Sequence, residues 1–178
     1  SKEFYTFTTS EGVELNGYMI KPVDFDSTRK YPVMMYQYSG PGSQTVTNSF
    51  RVGWDEYLAT LGYLVVCVDG RGTGGRGEAF RKMTYGQMGY YESIDQIEAA
   101  KYLQTLSWVD AGRIGIWGWS YGGYMSSLCL FKGADIFKMA IAVAPVTNWR
   151  YYDSIYTERF MGLPQDNPLG YDSNSPIN

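Results

Sequence analysis

The chain has 178 residues, with 15 basic and 18 acidic side chains, two cysteines and no histidine. That length fits one domain burying roughly two thirds of its unfolded surface, and 44% hydrophobic with 19% charged residues excludes a disordered, collagen-like or coiled-coil chain. A net charge of −3, with basic residues scattered singly, leaves no footprint for nucleic acid or an anionic membrane surface. The longest apolar runs, Tyr63 to Val68 and Met139 to Val146, are too short to span a bilayer. Without histidine the commonest general base and the commonest metal ligand are both missing. No zinc-type spacing can be written, so neither metal nor cofactor is expected. Cys67 and Cys129 lie in apolar runs and read as buried free thiols.

In chain order, Phe4 to Thr8 and Val13 to Ile20 alternate around a Ser10-Glu11-Gly12 turn, which predicts an antiparallel strand pair. Asp24 to Lys30 is a polar loop. Tyr31 to Tyr38 is strand-like and is broken by Ser39-Gly40-Pro41-Gly42. Trp54, Tyr57, Leu58 and Leu61 form a helical face stopped by Gly62. Tyr63 to Val68 is continuously apolar, the sign of a strand covered on both sides. A glycine-rich loop, Gly70 to Gly77, follows. The next helix carries Ile94, Ile97, Ala100, Leu103 and Leu106, with Ser93 and Gln96 spaced as a capping box. Asp110-Ala111-Gly112 turns into a strand from Arg113 to Trp117. Tyr124 to Phe131 predicts a buried helix closed by Lys132-Gly133, and Phe137 to Ala144 another strand. Strand and helix alternate after an antiparallel start, so the fold class is α/β with a mostly parallel sheet.

Gly118-Trp119-Ser120-Tyr121-Gly122 fits G-x-S-x-G between a predicted strand and a predicted helix, the context in which that motif presents a nucleophile. The serine must take strained dihedrals to clear the sheet, and its flanks must be small. Gly70-Arg71-Gly72-Thr73-Gly74-Gly75 also fits G-x-G-x-x-G. No clean helical period opens at its last glycine, so it reads as a structural loop rather than a phosphate site. A serine nucleophile needs a base. Lys101 and Lys132 are the lysine candidates, and both fall where predicted helices expose them. In α/β-hydrolases the acid and then the histidine follow the serine, and this sequence ends about 34 residues after Ala144. The expectation is therefore a sheet truncated before its last strands, with an edge open to self-association. Finally, Val146, Trp149, Tyr152 and Tyr156 are spaced 3, 3 and 4. If Val146 to Phe160 is helical, they share a face. That face is either core or an aromatic box suited to a flat apolar ring such as proline's.

Several blocks together carry a family resemblance: Tyr36 to Gln44 (YQYSGPGSQ), Val68 to Gly72 (VDGRG), Asp95 to Ala100 (DQIEAA), Gly118 to Tyr124 (GWSYGGY) and Ala144 to Pro164 (APVTNWRYYDSIYTERFMGLP). With these the chain resembles, from about Phe4 to its end, the catalytic domain of the dipeptidyl peptidase branch of the prolyl oligopeptidase family. The resemblance implies an α/β-hydrolase fold and a serine exopeptidase releasing N-terminal X-Pro or X-Ala dipeptides through an acyl-enzyme. It implies Ser120 as nucleophile, with Tyr38 and the backbone N–H of Tyr121 as the oxyanion hole. It implies Val146, Trp149, Tyr152, Tyr156 and the ring of Tyr121 as the pocket for the penultimate residue. Glu158 and Arg159 are left as surface or structural residues. The family's acid and histidine would lie beyond Asn178, since Asp135, Asp153, Asp166 and Asp172 come too early. Its β-propeller, with the paired glutamates for the substrate amine, would lie before Ser1. These 178 residues alone are thus expected to be inactive. The whole enzyme is expected to take peptide substrates and no nucleic acid, to form a homodimer, and to work in the periplasm, outside the cell or anchored to a membrane. Alternatives are a prolyl endopeptidase, an acylaminoacyl peptidase, an esterase, or a hydrolase-like binding domain that has lost catalysis.

Overall fold

The apolar run forms strand β4 (Leu64–Asp69), which is buried along its whole length. Its side chains alternate between two faces: Leu64, Val66 and Val68 enter the larger core, and Val65 and Cys67 the smaller one. The computed structural model, which describes all of residues 1–178, places β4 third in a six-stranded sheet. The other strands are β1 (Lys2–Thr8), β2 (Glu14–Ile20), β3 (Tyr31–Tyr36), β5 (Val109–Trp119) and β6 (Phe137–Val143), in the spatial order β1-β2-β4-β3-β5-β6. β1 pairs antiparallel with β2 and β2 antiparallel with β4, while β4, β3, β5 and β6 run parallel. The predicted α/β class, with antiparallel strands first, is the architecture found.

Helix α1 (Trp54–Thr60) supplies Leu58 and Ala59 to the smaller core. Helix α2 (Glu78–Lys82) is a short surface turn, and α3 (Tyr90–Gln104) and α4 (Tyr121–Lys132) cover the larger core. A 3₁₀ turn (Trp149–Tyr151), α5 (Ser154–Met161) and α6 (Pro168–Asp172) complete the chain. No helix is long and apolar enough to cross a membrane. Both cysteines are buried and free.

Three expectations need correction. β5 begins at Val109, and the Asp110-Ala111-Gly112 turn sits within it: the register jumps from Tyr31↔Val109 to Val33↔Ile114, so these residues loop out of the ladder. Helix α3 begins three residues before Ser93. The box-like contact is the Gly89 N–H donating to the Glu92 carboxylate (2.9 Å), with Gly89 in the left-handed region at φ 94°. Ser93 instead donates to the Tyr90 carbonyl, and Gln96 to that of Val68. Val146 to Phe160 is not one helix. The Asn148 side chain accepts from the Arg150 N–H (2.8 Å) and that of Asp153 from the Tyr156 N–H (2.7 Å). Two local caps start two short helices where the spacing suggested one long one, because Asn and Asp side chains compete for the backbone amides a continuous helix would need.

Candidate active site

Three non-glycine residues have left-handed backbone, and all three sit just past carboxyl ends of parallel strands: Ser39 after β3, Ser120 after β5 and Ala144 after β6. Backbone strain of this kind, of order 1–3 kcal/mol per residue, persists only where the surroundings enforce it. Here the enforcement is visible. The Ser120 N–H donates to the Val143 carbonyl (2.9 Å), and its own carbonyl accepts from Tyr124 (3.0 Å), so the residue is fixed at φ 57°, ψ −111° as the N-cap of α4. The flanking glycines are needed because other backbone is already there. A Cβ on Gly118 or on Gly122 would run into the Gln37 carbonyl, and one on Gly123 would lie 2.8 Å from the Val143 carbonyl. The Ser120 hydroxyl has no hydrogen-bond partner within the chain. The Tyr121 N–H, the first of α4, has no carbonyl a turn earlier in the helix to bond.

Gln37 brings Tyr38 alongside. It is fully buried, donates to the Gly122 carbonyl (2.7 Å) and the Ser126 hydroxyl (3.0 Å), and accepts from Ser39 (2.9 Å). This bolts the end of β3 to the first turn of α4. The Tyr38 ring folds back over Gly40, where any Cβ would collide with it, and its centroid lies 6.1 Å from that of Tyr121. Burial, then the neighbouring Tyr152 phenol, raise the Tyr38 hydroxyl above its ordinary value. It is therefore a neutral donor at neutral pH.

The aromatic residues meet in one cluster, although not along one helix face. Trp149 lies 5.5 Å from Tyr121, 5.1 Å from Tyr124, 5.7 Å from Tyr152 and, stacked, 6.0 Å from Tyr156. Tyr152 and Tyr156 meet edge to face at 5.4 Å. Burial, and then the facing Tyr38 phenol, push the Tyr156 hydroxyl well up. Val146 is buried in the larger core. Trp149 is fully buried, whereas Tyr152 is 42% exposed, so the cluster has a closed inner wall and an open rim.

The lysines do not reach Ser120. Lys132 stands at the far end of α4, about 18 Å along a helix of 12 residues, and donates to the Asn174 side chain (2.5 Å); Lys101 pairs with Glu98 (3.6 Å). Two of the four early aspartates are committed as well, Asp153 to its cap and Asp172 to Arg150 (2.7 Å). The Gly70–Gly75 loop is held by buried Arg71, which pairs with Asp95 (2.8 Å) and with Glu11 (2.6 Å). Its backbone clamps the segment after Tyr38, with the Gly42 N–H donating to the Gly72 carbonyl and the Gly74 N–H to that of Ser43 (both 2.8 Å). No three His, Cys, Asp or Glu side chains gather as a metal ion would require.

Sequence reasoning missed Gln37, Tyr124 and Glu92. Tyr124 donates to the Met88 and Asn174 carbonyls (3.0 and 2.7 Å). Glu92 is buried and accepts the Tyr121 hydroxyl (2.5 Å). Burial pushes the Glu92 carboxyl up to about 7, against hydrogen bonds from Tyr121 and Gly89 that favour its charged form. The Gly89-x-x-Glu92 spacing was the one local signal for it; its other partner is 29 residues away.

A parallel β4-β3-β5-β6 run with a strained serine between β5 and α4 defines an α/β-hydrolase fold. The sequence profile of the prolyl oligopeptidase family matches residues 48–178, and the chain belongs to that family. It is 52% identical over 176 residues to the protein named "Probable dipeptidyl-aminopeptidase B" of Coccidioides posadasii, covering 98% of this chain and 19% of that one. It is 53% identical over 167 residues to the protein of the same name from Pyrenophora teres f. teres, covering 93% of this chain and 18% of that one. Among solved structures, it superposes on dipeptidyl peptidase 4 of Porphyromonas gingivalis with a TM-score of 0.96 at 56% identity, covering 99% of this chain and 25% of the other. The chain thus spans about a fifth of the length of these curated relatives.

Proposed function

We propose that residues 1–178 are part of the catalytic domain of a serine exopeptidase that releases N-terminal X-Pro or X-Ala dipeptides, with a β-propeller before them and the rest of the hydrolase domain after them. The observation that carries this reading is the strained Ser120, whose neighbour Tyr121 packs on both Tyr38 and Trp149. In the mechanism, the Ser120 oxygen attacks the carbonyl of the substrate's second residue while a histidine from elsewhere in the enzyme takes its proton. Negative charge moves onto the carbonyl oxygen, where the Tyr38 hydroxyl and the Tyr121 N–H donate to it; losing one such donor costs about 3 kcal/mol of transition-state stabilisation. The intermediate collapses, the amine leaves with the proton, and the dipeptide remains as an ester on Ser120 until water releases it. A penultimate proline packs against the open rim formed by Tyr152 and Tyr156, which the buried rings of Tyr121 and Trp149 support from within, with Val146 in the same core; alanine fits the same space with less contact. The enzyme is read as a homodimer working outside the cytoplasm, in line with the family resemblance.

The test is labelling by a fluorophosphonate. In the complete enzyme Ser120 is expected to be labelled, and Ser120→Ala to abolish both labelling and turnover of an X-Pro reporter. The 178-residue chain alone is expected to stay unlabelled. Turnover of an N-blocked substrate with equal efficiency would overturn the exopeptidase assignment.

A further inference from the structure

Of the two fully buried carboxylates on α3, Glu92, at 1% exposure, is the one with no cation as partner. Arg71 pairs with Asp95 and Glu11, and the Lys132 ammonium donates to Asn174 and, at 3.5 Å, to the Ser93 hydroxyl. Two neutral donors converge on Glu92 instead, the Tyr121 phenol on Oε1 (2.5 Å) and the Gly89 amide on Oε2 (2.9 Å). The ring held this way is the hub of the aromatic cluster: Tyr121 touches Tyr38, Tyr124 and Trp149 at 6.1, 5.4 and 5.5 Å. It also belongs to the residue whose backbone amide adjoins Ser120.

Resting on the serine exopeptidase reading above, we propose that Glu92 is the positioning residue of this site. By holding the Tyr121 hydroxyl it fixes the ring forming the inner wall of the substrate pocket, and so sets how strongly the enzyme prefers a penultimate proline over alanine. A phenol bonded to a carboxylate is held by a charge-assisted bond, about twice as strong as a neutral one. The ionised acid accepts from both donors at once, whereas an amide or the protonated acid can keep the Gly89 amide only by reversing the other bond and donating to the Tyr121 oxygen, which loses the charge assistance.

The preference should therefore follow the protonation of Glu92. The groups facing it are Asp95 on its own helix; Tyr121, Tyr124, Cys129 and Lys132 from α4; and Tyr156 from α5. With burial dominating, the acid titrates at about 7. Below that pH the Tyr121 ring loosens. Proline, which fills more of the pocket that this buried ring supports through Trp149, suffers more than alanine. The catalytic histidine also titrates nearby, but it serves both substrates and cancels in their ratio.

The experiment uses the complete enzyme with X-Pro and X-Ala reporters, comparing wild type with Glu92→Gln, Glu92→Leu, Tyr121→Phe and the Glu92→Gln/Tyr121→Phe pair. Glu92→Gln and Tyr121→Phe are each expected to raise KM for the prolyl substrate about tenfold, with a smaller change in kcat and in the alanyl KM. The pair is expected to be little worse than either alone, because both remove one contact. In wild type the Pro-to-Ala ratio of kcat/KM is expected to rise with pH about a midpoint near 7, and to be flat in Glu92→Gln. Should Glu92→Leu not fold, the isosteric Glu92→Gln and Tyr121→Phe decide. Fluorophosphonate labelling of Ser120 separates the two readings. An unlabelled wild type removes the peptidase assignment itself. A labelled, active Glu92→Gln with unchanged Pro-to-Ala ratio, or strictly additive effects in the pair, overturns the role of Glu92 and leaves the peptidase standing.

Discussion

Two buried acids stand one turn apart on α3 and meet opposite surroundings. Asp95 faces a guanidinium: Arg71 Nε lies 3.1 Å from both carboxylate oxygens, its Nη2 2.8 Å from one, and its backbone N–H 2.7 Å from the other. Burial pushes the Asp95 carboxyl up and the guanidinium pulls against it. Glu92 meets only a phenol and an amide, and titrates at about 7. The first arrangement is a knot that fixes the Gly70–Gly75 loop against the segment carrying Tyr38. The second leaves an acid free to change charge against Tyr121, the residue that follows Ser120. One helix thus supports both sides of the site, one side by an ion pair and the other by a switchable contact.

Breaking the knot should have the largest effect. Arg71→Leu in the complete enzyme strands Asp95 as a buried, uncompensated charge, and is expected to lower stability by about 3–5 kcal/mol in urea unfolding. Adding Asp95→Leu is expected to restore more than half of that loss, because an apolar pair of similar volume needs no counter-charge. A double variant no better than the single one would show that the knot acts through packing rather than charge.

That contrast also marks what the sequence could reveal. The α/β class followed from Tyr63 to Val68 and from the antiparallel start, and the elbow from Gly118 to Gly122, because these are local patterns with one dominant physical reading, whereas the spatial order of the strands is set by pairings between distant segments. The aromatic box was legible as residues but not as geometry. Asn148 and Asp153 each nucleate a short helix, and an i, i+3 count cannot weigh a side-chain cap against a continued helix. Glu92 fell before the expected Ser93 cap, and nothing near it or Asp95 in the sequence marks either acid as buried or tells the two apart. What separates them is Tyr121, 29 residues on, and Arg71, 24 residues back. Gln37 was invisible for the same reason, since its partners Gly122 and Ser126 lie on another element.

The second prediction sharpens the comparison through pH. Between the ordinary glutamate value of 4.5 and about 7, folded Glu92 keeps a proton that the unfolded chain has released. The folded state binds more protons in that window, so this group's contribution is complete below 4.5 and is lost as the pH rises through 7. At 1.36 kcal/mol per pKa unit the loss is about 3 kcal/mol. Other carboxyls titrate over the same range, so the quantity to measure is the unfolding free energy of wild type minus that of Glu92→Gln, pH by pH. A decline across the window is expected. A flat difference would make Glu92 an acid that stays ionised, and would erase the contrast with Asp95.

The smallest effect concerns strain, which the nucleophile side carries at Ser120. At φ 57° and ψ −111° a Cβ is penalised, and only glycine takes this conformation freely. Ser120→Ala keeps the Cβ and therefore the strain, whereas Ser120→Gly removes it. Relief of 1–3 kcal/mol is offset in part by glycine's looser unfolded chain, worth about 0.4–1 kcal/mol, so Ser120→Gly should be more stable than Ser120→Ala by about 1 kcal/mol. Both variants lose the nucleophile, so the difference in urea midpoint between two equally inactive proteins isolates the backbone. If alanine proves as stable as glycine there, the elbow is not strained, and the strand-end loops hold Ser120 in place without storing energy in it.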